Sequence, residues 1–414
     1  MNVTRIASLL VAATLIPILL ALAPAANRAA HWREDLNALK AELPKRHVKP
    51  FTKISQAEFE VSIDALAKRV DQLQDHEIIV GMMQIVASIG DAHTMIGFGK
   101  SAPFSSYPIG IYIFKDGPFV AVADAEHREL LKAKVVGVGS ATFDDAAKRV
   151  ATVFPSENES LWKQLVPRWL ASAETLHALK LSEQADRATF NLQLADGSTK
   201  QVELSPLPRD AKPNLIRLPD WSKLKRPISM SPHATKYWFE YDEPSHAMYA
   251  RYDACVDDPK YPFAQFSKEL LAAIDSRKPG KVIFDLRNNG GGNSAIAEPL
   301  INALRDDKSI NQKGKLFVLI GRQTFSSAQM NAQQFRDRTK ATLVGEPTGQ
   351  KPNHFGEIKN FTLPNSGLVV QYSTKQFRQS EKDEPSMMPD ETIEPTSAEF
   401  FAGRDVVLER ILAT

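Results

Sequence analysis

Cysteine is nearly missing: Cys255 stands alone in a chain of 414 residues, which excludes an internal disulfide and any cysteine-rich metal cluster. An excess of one charge is missing too. Lys plus Arg number 51 against 49 for Asp plus Glu, a formal net charge of +2. That balance offers no electrostatic case for nucleic acid or another polyanion as a partner. The nine histidines are scattered, and His76-Glu77 lacks the second histidine of H-E-x-x-H, so neither a metal nor another cofactor is expected. His233 and His246 read as structural or solvated. There is no internal repeat, no low-complexity tract and, beyond the amino terminus, no apolar run long enough to span a membrane. What remains is a globular composition, 43% apolar and 24% charged, with material for two or three domains.

At the amino terminus Arg5 precedes an uncharged run from Ile6 to Ala26 that ends in Ala23-Pro24-Ala25. A basic flank, an apolar stretch and a small-x-small end together form a secretion signal. Residues 1–25 are therefore expected to be a signal peptide and the protein secreted or periplasmic. The alternative is an uncleaved anchor, the one circumstance in which a membrane would be a partner. In an oxidising compartment an unpaired Cys255 is expected to be buried and inert.

The remaining pattern divides the chain. Residues 26–100 repeat apolar positions at helical spacing, and Gly90-Asp91 stops the last helix just before His93. Residues 104–206 mix strands, at 109–114, 119–123 and 134–138 and in a hairpin across Asp196-Gly197, with a helical stretch from Leu161 to Leu181. Six prolines between 206 and 232 and the cluster Lys223, Lys225, Arg226 predict a linker over 207–234. From 235 to 414 strands alternate with helices, which argues an α/β domain with a mainly parallel sheet.

Three segments of this last region carry groups suited to chemistry. In the first, a buried strand from Lys281 runs through Asp285-Leu-Arg-Asn-Asn into Gly290-Gly-Gly. Backbone N–H groups left open by glycines can bind an anion or a developing oxyanion. The G-x-G-x-x-G spacing and the P-loop lysine of nucleotide sites are absent. In the second, a strand from Leu316 ends at Thr324-Phe-Ser-Ser, with Ser326 and Ser327 where the next helix begins. A serine there can serve as a nucleophile, or simply cap the helix. It is not the G-x-S-x-G elbow. The third, Gly345-Glu-Pro-Thr-Gly-Gln-Lys-Pro-Asn-His, places Lys351 and His354 in a loop.

Together these segments resemble the tail-specific, or carboxy-terminal processing, serine peptidases, relatives of the tricorn core protease. The matching stretches are Asp285 to Gly292, Ser326, and Gly345 to Lys351, and upstream Ile89-Gly-Asp-Ala-His-Thr resembles the family's histidine-bearing segment. The resemblance implies a ClpP/crotonase-like catalytic domain preceded by a PDZ-like one, here 104–206 with a helical insert. It implies a polypeptide substrate, Ser326 as nucleophile, and the Gly292 and Ser327 amides as the oxyanion hole. It points to Lys351, at the family's Ser–Lys separation, as the expected base, with His93, which matches the tricorn-like branch, as the alternative. A late carboxylate, Asp383 or Glu384, would assist in that branch. Two departures stand out: Ser-Ala-Gln follows the serine where Ala-Ser-Glu is usual, and Pro-Asn-His-Phe-Gly follows Lys351 instead of a glycine and a strand. Two other functions use the same scaffold, a non-catalytic ligand- or peptide-binding protein and an acyl hydrolase of small esters.

Overall fold

The computed structural model describes residues 19–98, 104–208 and 210–413. Most of the apolar run beginning at Ile6, on which the expected signal peptide rests, lies outside them. Among the described residues no helix is long and apolar enough to cross a membrane.

Three helices open the chain: α1 (Leu19–Arg46), α2 (Gln56–Ala67) and α3 (Asp75–Ala87). Helix α2 starts at a capping box in which the Ser55 hydroxyl and the Glu58 carboxylate each accept from the other's backbone amide, satisfying N–H groups that the first turn leaves over. Helix α3 is apolar on nearly every side, with Ile78, Met82 and Val86 fully enclosed, and forms the centre of this layer. The chain then enters strand β1 (Met95–Gly97).

The second region comprises β2 (Ile109–Phe114), β3 (Gly117–Asp124), β4 (Lys134–Val138), β5 (Ala141–Thr142), α4 (Phe143–Val150), α5 (Glu159–Leu170), α6 (Ala173–Ala178), β6 (Ala188–Gln193), β7 (Thr199–Leu204) and β8 (Leu215–Arg217). Its sheet has the order β2-β3-β4-β6-β7, with β5 on β4 and β8 on β3. Two expectations change here. The helical stretch from Leu161 to Leu181 is broken at Ala171-Ser172, where Tyr107 N–H bonds the Ala171 carbonyl at 2.8 Å and stops α5. The proline-rich 207–234 is not featureless either, since β8 pairs antiparallel with β3 from Val122↔Arg217 to Asp124↔Leu215.

The third region follows as β9 (Tyr237–Asp242), β10 (Ala247–Tyr252), α7 (Phe263–Arg277), β11 (Lys281–Asp285), α8 (Glu298–Asp306), β12 (Leu316–Ile320), α9 (Ser327–Arg338), β13 (Thr342–Gly345), β14 (His354–Thr362), β15 (Val369–Phe377), β16 (Glu391–Thr392), α10 (Ser397–Phe401) and α11 (Val406–Leu412). Its sheet runs β16-β13-β12-β11-β10-β9. All neighbours are parallel except β9, which lies antiparallel on β10. Helices cover both faces, so the central strands are apolar without alternation: all five residues of β12 are buried, as a doubly covered parallel sheet requires. Each large side chain enclosed this way, such as Phe284 or Phe335, contributes about 2–3 kcal/mol.

The hairpin β14–β15 leaves this sheet. It pairs with β1 through Met95↔Gln371 to Gly97↔Val369, and its Leu363, Leu368, Val370 and Tyr372 join the same apolar core as Leu36, Phe59 and Val86. The Asp35 carboxylate accepts from the Asn365 and Ser366 amides at 2.8 Å. A late segment is thus built into the early helical layer. The strand expected to be missing after Lys351 is present, begun at His354.

Candidate active site

The turn after β11 is shaped by Asn289, wholly buried. Its side chain donates to the Tyr252 carbonyl at 2.9 Å and accepts from Gly291 N–H at 2.9 Å, while its carbonyl accepts from Phe325 N–H at 3.0 Å. The turn and the end of β12 are therefore tied face to face. Gly291 (φ 107°) lies so close that a Cβ would stand 2.6 Å from Ser326 Cβ, and at Gly292 (φ 135°) one would stand 2.2 Å from the Cys255 carbonyl oxygen. Only glycine fits either position. The Gly292 carbonyl accepts from Ser327 Oγ at 2.6 Å. The Gly292 and Ser327 amides themselves donate to no other group among the described residues, which leaves both free for a ligand oxygen.

Beneath the turn lies a charged network. Asp285, fully buried, accepts from Arg287 at 2.8 Å and from the Tyr249 hydroxyl at 2.6 Å; Arg287 also reaches Asp405 at 2.7 Å. Burial opposes charge on Asp285, but Arg287 and Arg251 outweigh it and hold the carboxyl far below its usual range.

Ser326 precedes α9 with φ 53° and ψ −128°, backbone values that a side chain seldom adopts. Its hydroxyl makes no capping bond. It faces His93 instead, with Nε2 3.1 Å from Oγ. His93 is buried and rigidly framed. Asp91, two residues earlier, accepts from His93 N–H at 3.0 Å, Thr94 Oγ1 at 2.5 Å, Ser373 Oγ at 2.6 Å and His47 Nε2 at 3.0 Å, and the His93 carbonyl accepts from Gln371. Phe325 lies against the imidazole, centroids 4.8 Å apart. Burial holds His93 below the ordinary histidine value, although Asp91 pulls the other way. His354, stacked 6.2 Å away, is pushed down to about 4 by burial.

Lys351 is elsewhere. Its Nζ lies 3.7 Å from Asp383, whose side chain is largely exposed, and no hydrogen bond joins it to Ser326. Glu384 is exposed. The structure thus brings His93, Ser326, Ser327 and Gly292 together, and leaves Lys351, Asp383 and Glu384 outside that cluster. Cys255 is buried beside Asn289 and Asn331, and burial raises its thiol to about 11, out of reach of thiolate chemistry at neutral pH.

Two residues not singled out in the sequence join the cluster. Gln350, with no exposed surface, accepts from Ser326 N–H through Oε1 at 2.7 Å and places Nε2 3.1 Å from His93 Nδ1. Its place directly before Lys351 was the available signal. Glu157, between α4 and α5, is enclosed at its carboxyl end: Oε1 accepts from Ala92 N–H at 3.2 Å, the Lys351 backbone amide lies close by, and Oε2 has no exposed surface. Burial, then the Asp91 charge, raise it to about 7. The folded protein therefore keeps a proton there that the unfolded chain has lost above pH 4.5. This stabilisation is complete below about pH 4.5 and disappears as pH climbs through about 7. The stability of wild type relative to Glu157→Gln should fall by about 3 kcal/mol between pH 4 and 8. Urea unfolding at both pH values measures it, and a constant difference would refute it.

Beside the pair opens a cavity of ≈ 250 Å³, lined mainly by apolar groups such as Ala92, Phe154, Leu161, Leu165 and Phe325, with Arg168 among its polar ones. Helix α5 of the second region supplies one wall.

Residues 258–395 match the profile of peptidase family S41. A 134-residue stretch is 30% identical to the tail-specific protease of Haemophilus influenzae, covering 27% of this chain and 19% of that protein. The chain thus matches about a fifth of that relative's length. Among solved structures, mature CPAF superposes with a TM-score of 0.65 at 14% identity, over 93% of this chain and 97% of that one. CPAF complexed with lactacystin gives 0.63 at 14%, over 93% and 98%. At such identity the likeness is one of fold.

Proposed function

We propose that the S41-like region makes the protein a serine-type peptidase that cleaves polypeptides, with Ser326 as nucleophile and His93 as general base. The 3.1 Å approach of His93 Nε2 to Ser326 Oγ carries the reading. Oγ attacks the peptide carbonyl carbon as its proton passes to Nε2; the imidazolium then gives that proton to the leaving amine, and water hydrolyses the acyl-enzyme by the same path. The Gly292 and Ser327 amides, open and adjacent, would hold the oxyanion. An imidazole needs no large shift to act near neutrality, and burial, by keeping it neutral, extends that range into mild acid. Lys351, paired with Asp383, has a structural place in this scheme. The apolar cavity suits a large apolar substrate side chain next to the attacked carbonyl. We assign the second region to the PDZ-like position of the family and the sheet β9–β13 with β16 to the ClpP/crotonase-like one, α5 acting as a wall of the substrate site.

Labelling with excess fluorophosphonate, followed by peptide mass mapping, tests the nucleophile. The expected result is one adduct on Ser326, lost on denaturation and in Ser326→Ala, together with hydrolysis of peptides bearing Phe, Leu or Met. Peptide hydrolysis that survives Ser326→Ala would refute the assignment.

A further inference from the structure

The Gln350 carboxamide has one orientation open to it. A backbone N–H can only donate, so the atom 2.7 Å from Ser326 N must be Oε1. Turning the amide over would set its NH₂ group against that N–H. Nε2 therefore faces His93 Nδ1 at 3.1 Å, and, being a donor, requires Nδ1 to be the acceptor. A neutral imidazole carries one proton. With Nδ1 bare, that proton sits on Nε2, 3.1 Å from Ser326 Oγ. This tautomer can donate to the serine but cannot take its proton. Exchanging a carboxylate for an amide at the corresponding place in a Ser-His-Asp triad lowers kcat on the order of 10⁴-fold for this reason.

We propose that Gln350 is a positioning residue that holds His93 in the unproductive tautomer, so that turnover begins with its carboxamide leaving Nδ1. The inference rests on the Ser326–His93 reading above. The Phe355 carbonyl already stands beside the ring as a competing backbone acceptor; once the carboxamide withdraws, the imidazole proton can move to Nδ1 and Nε2 becomes the acceptor. No ionisable side chain takes the place of the carboxamide. The ionisable groups around the ring are Asp91 and His354, and Asp91 is already engaged by His47, Thr94 and Ser373. The Gln350 carbonyl accepts separately from the Thr348 hydroxyl at 2.7 Å, so withdrawal from Nδ1 asks for rotation of the side chain and not for a shift of the backbone.

The substitution Gln350→Glu keeps size and keeps an acceptor for Ser326 N–H, but turns the atom facing Nδ1 from donor to acceptor. It should raise kcat/KM tenfold or more and move the acid limb of the pH profile upward, since the new carboxylate favours the imidazolium. Equal or lower kcat/KM in a variant with unchanged melting temperature would overturn the proposal. The wild-type protein offers a second readout. Long-range ¹H–¹⁵N spectra of histidine-labelled protein, with the His93 resonances assigned by loss in His93→Gln, should show the proton on Nε2; a proton on Nδ1 overturns it. Full activity in Ser326→Ala would instead defeat the nucleophile reading and leave the tautomer measurement standing.

Discussion

Alanine at His93 should cost the enzyme as much as alanine at Ser326, and alanine at Lys351 should cost little. Nucleophile and base act as one unit, so either loss is expected to reduce kcat on the order of 10⁶-fold, and the double variant should be no worse than each single one. Lys351→Ala removes only a partly exposed pair with Asp383 at 3.7 Å, worth less than about 1 kcal/mol, and should change kcat/KM by less than about tenfold. Steady-state kinetics on one apolar peptide decides it. Should Lys351→Ala match Ser326→Ala while His93→Ala stays active, the base is the lysine and the geometry at Oγ must rearrange during turnover. The Gln350 variant sharpens the comparison, because its gain must vanish when His93 is also replaced.

Asp285→Ala should be the most damaging change to the fold among the polar residues near the site. The side chain is buried with Arg287 and Arg251 around it. Its removal leaves Arg251 with Asp253 alone as a carboxylate partner and Arg287 with Asp405 alone. Breaking a buried pair from one side costs about 3–5 kcal/mol, since the stranded charge keeps its desolvation penalty. Asp285→Asn, which keeps the shape and an acceptor oxygen but not the charge, should cost nearly as much, which a simple loss of packing would not allow. Urea unfolding measures both. A cost under about 1 kcal/mol for Asp285→Ala would mean that water enters and solvates the arginines. Because Asp285 ends β11 directly before the turn to Gly292, kcat should fall along with stability.

The elements readable in the sequence were those whose surroundings repeat along the chain. Strand β12 is apolar throughout and β11 is apolar between Lys281 and Asp285, and the helices between them keep an apolar face, so both stood out. The hairpin β14–β15 did not: four consecutive residues of β14, Glu357 to Asn360, are exposed, so no alternation marks it. Strand β8 is three residues among prolines and owes its existence to the stretch of β3 that runs past its short pairing with β4. At the site, Ser326 and the glycine turn were legible because their chemistry is local. The choice between His93 and Lys351 was not, since it depends on where the loop after Gly345 carries each side chain. Glu157 and Gln350 gain their character only from being enclosed, which no spacing reports.

Because the hairpin β14–β15 is a structural part of the early helical layer, the timing of synthesis matters. His93 and Ser326 are 233 positions apart, and the residues that steady the His93 loop, Gln371 and Ser373, emerge later still. A growing chain that has just exposed its serine holds no finished frame for the imidazole, and contacts of such long sequence separation form slowly. With Ser326 as the proposed nucleophile and His93 as its base, a nascent chain lacking β14 and β15 would hold an unframed imidazole and should be inactive. On the proposed reading, activity would wait until the hairpin β14–β15 has been made and has closed over the first helices.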